Sequence, residues 1–400
     1  MTIDNDGAAP APSRHLIFLG SGASYFGIWL VNVLLTIITL GLFLPWALVR
    51  SRRYFYACTE LEGARFSYHA TGSSVFIGWV CIMALYIIFL VNIAHENMVL
   101  ALCMIGLFVL FFPWLVTQGL RYQMLMTEIN NVRFSFYASP LRAWWVMLGC
   151  PLLIMAASVF IFSLLLSGSM SAGSYTAIFV GIGIGTLVLL LGSAVMQGVY
   201  MAQWYGMLVN NLTYGTQKFA GTFSMKKCIV IALCSMLLLV PFVAVMMVII
   251  IPAFITLMQY SYVAGGDPEQ LAMMAGPLYG KIMLSYLVYF LGIMVCFSFA
   301  FVKMRNYIYG QVTLVQTIRF SSTVTIGRVL WLTVTNLLVC MITLFLAYPW
   351  AKVRFTRYVL ENTHVHGELH AVPLENHSEK PAKDPANLLA RGLSFFPAVF

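Results

Sequence analysis

Charge is what this sequence has least of. Only 9% of its 400 residues are Asp, Glu, Lys or Arg, against roughly 25% in an ordinary soluble domain. The 75 consecutive positions from Ala143 to Gln217 carry none. A water-facing surface cannot be assembled from that composition, so a soluble α/β enzyme is excluded and most of the chain has lipid as its solvent. Paired cysteines are lacking too. The eight are scattered singly, mostly inside apolar stretches (Cys81, Cys103, Cys150, Cys234, Cys296, Cys340), with no CxxC, which excludes a disulfide framework and reads as packing. No Ser/His/Asp, His-Glu-x-x-His, Gly-x-Ser-x-Gly or P-loop pattern occurs, and no acidic or basic residue sits in the middle of an apolar segment. Catalysis and proton-coupled transport therefore lose their usual markers, and the chain reads as a non-enzyme with no catalytic residue, cofactor or metal. The opening MTIDNDGAAPAPSRH has no basic-then-apolar stretch closing on a small-residue cleavage site, so no removable signal peptide is expected.

What is present is hydrophobic length. Residues of the apolar class make up 61% of the chain, and about 20 apolar helical residues cross a hydrocarbon core. Eight segments qualify, near Tyr25–Leu48, Ser73–Ala94, Met98–Gly119, Ala143–Leu166, Ser174–Gln197, Cys228–Met258, Leu278–Val302 and Val329–Trp350. The sixth is too long for one straight span and carries Pro241 and Pro252, which predicts a kink or an interfacial extension.

The net charge of +9 points to anionic lipid headgroups rather than nucleic acid. Connections near 50–72, 120–142, 218–227 and 303–328 hold fourteen of the 22 Lys and Arg, whereas those near 95–97, 167–173 and 259–277 hold none. Retention of basic loops places the first group in the cytoplasm. Eight full crossings would then export Lys352, Arg354, Arg357 and the basic tail. The conflict is resolved if the first and eighth segments enter and leave on one side, leaving six true spans, with hinges at Thr39-Leu40-Gly41, Pro45 and Pro349.

Internal repetition is the most informative feature. PWALVRSRRYFYACTELEGARFSY, starting at Pro45, recurs as PWAKVRFTRYVLENTHVHGELHA, aligning Pro45/Pro349, Trp46/Trp350, Arg50/Arg354, Arg53/Arg357, Tyr54/Tyr358, Thr59/Thr363 and, upstream, Asn32/Asn336. A third copy runs through Pro113-Trp114, Arg121-Tyr122, Thr127-Glu128 and Arg133-Phe134-Ser135, and two looser copies lie around Trp204–Phe219 and Arg305–Phe320. Each unit reads as an apolar segment, a Pro-Trp at its cytoplasmic end, a short basic-aromatic helix, a turn such as Glu62-Gly63, and an alternating strand such as Arg65–Tyr68. The Trp suits the headgroup level and the Arg residues lipid phosphate.

The pattern carried by Asn32, Thr39, Leu40, Gly41, Pro45, Trp46, Arg50, Arg53, Tyr54, Thr59, Leu61, Gly63 and Phe66 resembles the YjgN family of bacterial inner-membrane proteins, from about Ser21 to Val372. The resemblance implies a location in the inner membrane and no mechanism. This chain departs from the pattern at Leu48, where its own second copy has Lys352, and at His370, which replaces the strand Phe.

The candidate contact residues are those of the repeat. Arg53 with Glu60, and Arg121 with Glu128, are seven apart, one face of a continuous helix, and would bind a polar ligand or anchor to each other and to headgroups. Asn32 and Asn336 would line a path or, more simply, bond helix to helix. Gly181-Ile-Gly-Ile-Gly185 reads as close helix packing, and His364, His366, His370 and His377 as a solvated strand rather than a metal site. The expectation is an all-α polytopic membrane protein, a helical bundle with pseudo-symmetric repeats and short cytoplasmic β and helix elements. It comprises a disordered tail over 1–20, a transmembrane domain over 21–372 with repeats of about 21–72, 98–139, 174–224, 278–325 and 326–372, and a tail over 373–400. A transporter, channel or lipid-handling protein of the bacterial inner membrane is the favoured function. The alternative is a scaffold whose cytoplasmic face binds a protein partner or a second copy.

Overall fold

The computed structural model describes residues 13–263, 268–315, 317–367 and 390–392. Its plan is a helical hairpin followed by a β-hairpin, five times over. The helical hairpins are α1 (Gly22–Ile38) with α2 (Leu44–Ala57), α3 (Gly72–Ala94) with α4 (Met98–Leu125), and α5 (Pro140–Trp144) continuing through a π-turn into α6 (Cys150–Ser171), which pairs with α7 (Tyr175–Asn210). Then come α8 (Met225–Val263) with α9 (Pro268–Tyr309), and α10 (Ile326–Ile342) with α11 (Tyr348–Glu361). Each helical hairpin packs mainly against its neighbours in chain order, and α1 packs against α11.

Among the described residues, six helices are long and apolar enough to cross a membrane. The molecule is thus an all-α polytopic protein, with strands confined to the hairpin ends. Pro241 and Pro252 stay inside one continuous α8, as lipid-embedded helices tolerate. The 17-residue α1 and α10 reach only about 25 Å, short of a hydrocarbon core of about 30 Å. Both turn back. At the first turn Leu40 and Gly41 have φ of 49° and 91°; at the second Leu344 and Phe345 have 49° and 65°. Thr39 fastens the first, its hydroxyl donating to Leu35 O and accepting from Phe43 N, and Thr343 does the same with Val339 O and Ala347 N. The single segments Tyr25–Leu48 and Val329–Trp350 are therefore each two antiparallel helices, whose outer ends return together.

Between the helical hairpins lie short antiparallel strands: β3 (Thr59–Leu61) with β4 (Ala64–Arg65) and β5 (Ser67–Tyr68), β6 (Thr127–Ile129) with β7 (Val132–Phe136), β8 (Leu212–Tyr214) with β9 (Gln217–Gly221), and β10 (Val312–Leu314) with β11 (Ile318–Ser322). Glu62-Gly63 and Asn130-Asn131 turn with φ positive at both residues, the twist a two-residue hairpin requires. Each hairpin pairs with the next: β5 with β6, β7 with β8, β9 with β10, β11 with β12 (Thr363–His366).

The fifth hairpin takes its second strand from the other end of the chain. β1 (Ser13–His15) pairs with β12, and β2 (Ile17–Phe18) pairs with β3. Leu16 joins them, donating from its amide to Thr363 O, just as Phe66 joins β4 to β5 and donates to Thr59 O. Counting these joined pairs as single strands, the sheet closes on itself without an edge, as small barrels do. Part of the stretch expected as a disordered tail is thus the closing strand. Of the C-terminal tail only Ala390–Gly392 is described, buried beside Gly78 and Trp79.

Alternation fills the ring. Leu61, Ile129, Tyr214, Leu314 and Val365 point inward from the first strands, and Phe66, Phe134, Phe219, Phe320 and Leu16 from the second, forming one apolar cluster. The outward positions carry the cross-strand pairs Glu60 with Arg65, Glu128 with Arg133, Thr213 with Lys218 and Thr313 with Arg319. Gly181 and Gly185 sit where a Cβ would overlap Ser169 and Phe162 of α6, the close helix packing expected of them.

Candidate functional site

The repeated residues form the joints of this ring. Pro45 and Pro349 open α2 and α11, where a missing N–H costs nothing. Trp46 lies over Gly72 and tilts against Phe76, and Trp350 over Gly22 and Phe26, both ring pairs at 4.9 Å. Each Trp thereby closes the gap to the next outgoing helix as well as facing the exterior. Arg53 donates to Ala70 O, just ahead of α3, and Arg357 to Gly20 O at 2.6 Å, just ahead of α1. Asn306 holds the same place on α9, donating to Val324 O at 2.9 Å.

The tyrosine beside each of these residues turns to its own helical hairpin. Tyr54 bonds Ser21 N and O, both at 2.8 Å, Tyr307 accepts from Ser224 N, and Tyr358 from Thr325 N. Tyr122 meets Ser74. The third unit has Met207 there, fully buried against Ala143 and Val146. Thr59, Thr127 and Thr363 each donate to a carbonyl four residues back and start their strand. Asn32 and Asn336 bond the partner helix within their hairpin, to Ala47 O and Ala351 O. Arg354 bonds Thr335 and Asn336, and Arg50 lies 5.8 Å from the Phe43 ring centroid.

The expected Arg53–Glu60 and Arg121–Glu128 pairs are not made, because the helices end at Ala57 and Leu125 and the acids lie in strands. Glu60 meets Arg65 at 3.5 Å, and Glu128 meets Arg133 at 3.3 Å and His69 at 3.2 Å. Arg121 turns to Tyr137, bonding its hydroxyl at 2.7 Å and covering its ring at 4.2 Å. The structure distributes the predicted residues over three of the five units, the first, second and fifth, rather than gathering them at one site. At the closing seam, His15, His364 and His366 line up with ring centroids 6.5 Å apart in sequence. Burial first, then the two neighbouring histidines, pushes the His364 imidazole below its ordinary value. His370 and His377 lie outside the described residues. Inside the ring, burial and then the Glu128 charge push the Tyr214 phenol up to about 12.

The concave feature lies against the apolar filling of the ring. A cavity of about 310 Å³ is walled by Gln197, Met201 and Tyr205 on α7, Ile231, Ala232 and Ser235 on α8, and Phe297, Phe301, Arg305 and Tyr309 on α9. Val209, Leu212, Phe219 and Phe320, the outer layer of the ring's filling, floor it. Arg305 is its cation: Nη2 donates to Thr363 Oγ1 at 2.8 Å, the guanidinium lies 4.2 Å over the Tyr309 ring, and Nε is buried without a partner. Repeat alignment had placed Arg305 at the start of the fourth copy without marking it. Its signal was a basic residue seven before the first strand residue, the place Arg52 holds before Thr59.

Residues 13–385 match the family model described as bacterial protein of unknown function (DUF898). The chain belongs to this family. It is 34% identical over 389 residues to the inner membrane protein YjgN of Salmonella typhimurium, and 34% and 32% identical, over 386 and 385 residues, to the proteins of that name from Escherichia coli O157:H7 and K12. In each case 96% of both chains is covered. No solved structure matches. With six membrane-length helices and relatives named for the inner membrane, the family member is a multispanning inner-membrane protein.

Proposed function

We propose that the protein handles a hydrophobic amphiphile of the bilayer, binding it within the ring of helices and moving it between membrane and rim. The observation that carries this reading is the cavity beside the ring's filling, apolar on nearly every side and open among α7, α8 and α9. An ion or sugar pathway needs rows of polar groups to replace water, whereas these walls are mostly Phe, Ile, Met, Leu, Val and Ala, with a few scattered polar side chains. The helices also form no dense bundle: between 6% and 22% of each apolar window is buried, which leaves wide faces for lipid. The β-ring and its basic joints lie on the cytoplasmic side in this reading, by retention of Lys and Arg, and meet anionic headgroups there.

The test is reconstitution into vesicles, following exchange of a fluorescent lysophospholipid between leaflets alongside dye-reported ion flux. Accelerated lipid movement without ion flux is expected. Lipid movement no faster than in protein-free vesicles sinks the reading in favour of a scaffold.

A further inference from the structure

We infer that the cavity beside the ring is a binding site for a single-chain anionic amphiphile, with Arg305 as the partner of its headgroup; the inference rests on the lipid-handling reading and names its ligand. Beyond Arg305 the lining is mostly hydrocarbon and aromatic, with Gln197, Tyr205, Ser235 and Tyr309 as its neutral polar members. Phe297, Phe301, Ile231 and Met201 offer no donor, and Ser235 spends its hydroxyl on Ala232 O. Arg305 asks for an anion. No carboxylate among the described residues pairs with it, because the acids of the ring are engaged elsewhere: Glu60 with Arg65, Glu128 with Arg133 and His69, and Glu62 with Arg14 at 2.9 Å.

A partly buried guanidinium with an unused Nε beside apolar walls carries a desolvation cost that an incoming anion offsets. Planar donors suit a carboxylate or phosphate equally, and those are the two headgroup chemistries the site accepts. The volume decides the tail. About 310 Å³ is at the lower end of small-molecule sites, ~300–1,000 Å³, which favours one acyl chain over two. A neutral apolar ligand would leave the Arg305 charge uncompensated, and a small polar anion would leave the aromatic walls unfilled.

The experiment is displacement of a fluorescent fatty acid from the purified full-length protein in phosphatidylcholine nanodiscs by laurate, lysophosphatidylglycerol and monolaurin. Laurate or the lysophospholipid should compete at least ~10-fold better than neutral monolaurin, the difference identifying carboxylate or phosphate as the headgroup. Arg305→Gln should weaken the anionic competitors ~10-fold or more and leave monolaurin unchanged, which also reports an intact fold. Arg305→Lys, which keeps the charge, should restore part of the loss, and Ala300→Trp, which fills the cavity, should abolish all three. Equal competition by laurate and monolaurin in the unaltered protein, or undiminished anionic binding by both Arg305→Gln and Ala300→Trp, overturns the site. Lysophospholipid exchange in vesicles is read separately: binding without exchange removes the proposed movement and keeps the site, and exchange without binding does the reverse.

Discussion

A Cβ added at Gly22 or Gly72 would overlap the indole of Trp350 or Trp46, so these two joints each depend on a residue without a side chain. Gly72→Ala and Gly22→Ala should each cost about 1–3 kcal/mol through a displaced ring, seen as a lowered unfolding midpoint in detergent. Gly27→Ala, with nothing within 4 Å, should leave that midpoint nearly unchanged. Arg357→Ala should cost about 1.5–3 kcal/mol, the range for a hydrogen bond from a charged donor, since its partner Gly20 O closes the last unit onto the first. Half of each joint was legible in the sequence. Pro45, Trp46, Arg53, Tyr54 and Thr59 stand out because they recur. Their partners do not, because Ala70 and Gly20 contribute only backbone carbonyls and Gly72 contributes space, and neither leaves a side-chain signature. Arg305 was hidden for a different reason: its role comes from the cavity beside it, which no spacing encodes.

The element most at odds with its sequence is the N-terminal strand. Ser13–Phe18 is too short and too close to a Pro/Ala-rich stretch to show alternation, and its partner β12 lies some 350 residues away, so it reads as tail until the ring is seen. The same shortness hid the strand identity of Glu60 and Glu128, whose spacing from Arg53 and Arg121 suits a helix that has already ended. Ile17 and Glu60 are directly opposite across β2 and β3. A cysteine pair there, in a background lacking the eight native thiols, should form a disulfide under mild oxidation, detected as a mobility shift that reduction reverses; a pair that stays reduced would contradict the closed ring.

The neighbouring seam should respond to pH. His364 faces His15 on β1 and His366 on its own strand, with Thr323 and Ser321 as neutral partners on the adjoining segment and Arg319 opposite His366. Its imidazole titrates lower in the fold than in the unfolded chain, so the open form binds more protons. The stability it supports is whole above about pH 6.5, the ordinary imidazole value, and is lost as pH falls through that region. Hydrogen exchange at the β1 amides should therefore slow less between pH 7.5 and 5.5 than the intrinsic base-catalysed rate does, and His364→Gln should remove the difference.

At the scale of the whole molecule, the repeat foretold more than hydropathy did. Eight apolar stretches are long enough on paper, yet two of them hold a Thr-fastened turn, at Thr39 and Thr343, and fold back on themselves. What repetition could not convey is that five joints make a ring, because closure is a property of both ends together. The central claim is that six helices cross while both short hairpins return, leaving every β-hairpin, with β1 and β12 among their strands, on one face. Single cysteines labelled with an impermeant maleimide, in right-side-out and in inverted vesicles, test it most directly. Thr216, Thr317 and Glu361 should label from one side, Asn97 and Gly173 from the other, and Leu40 and Leu344 from neither. Labelling of Glu361 from the side that exposes Gly173 would contradict the account.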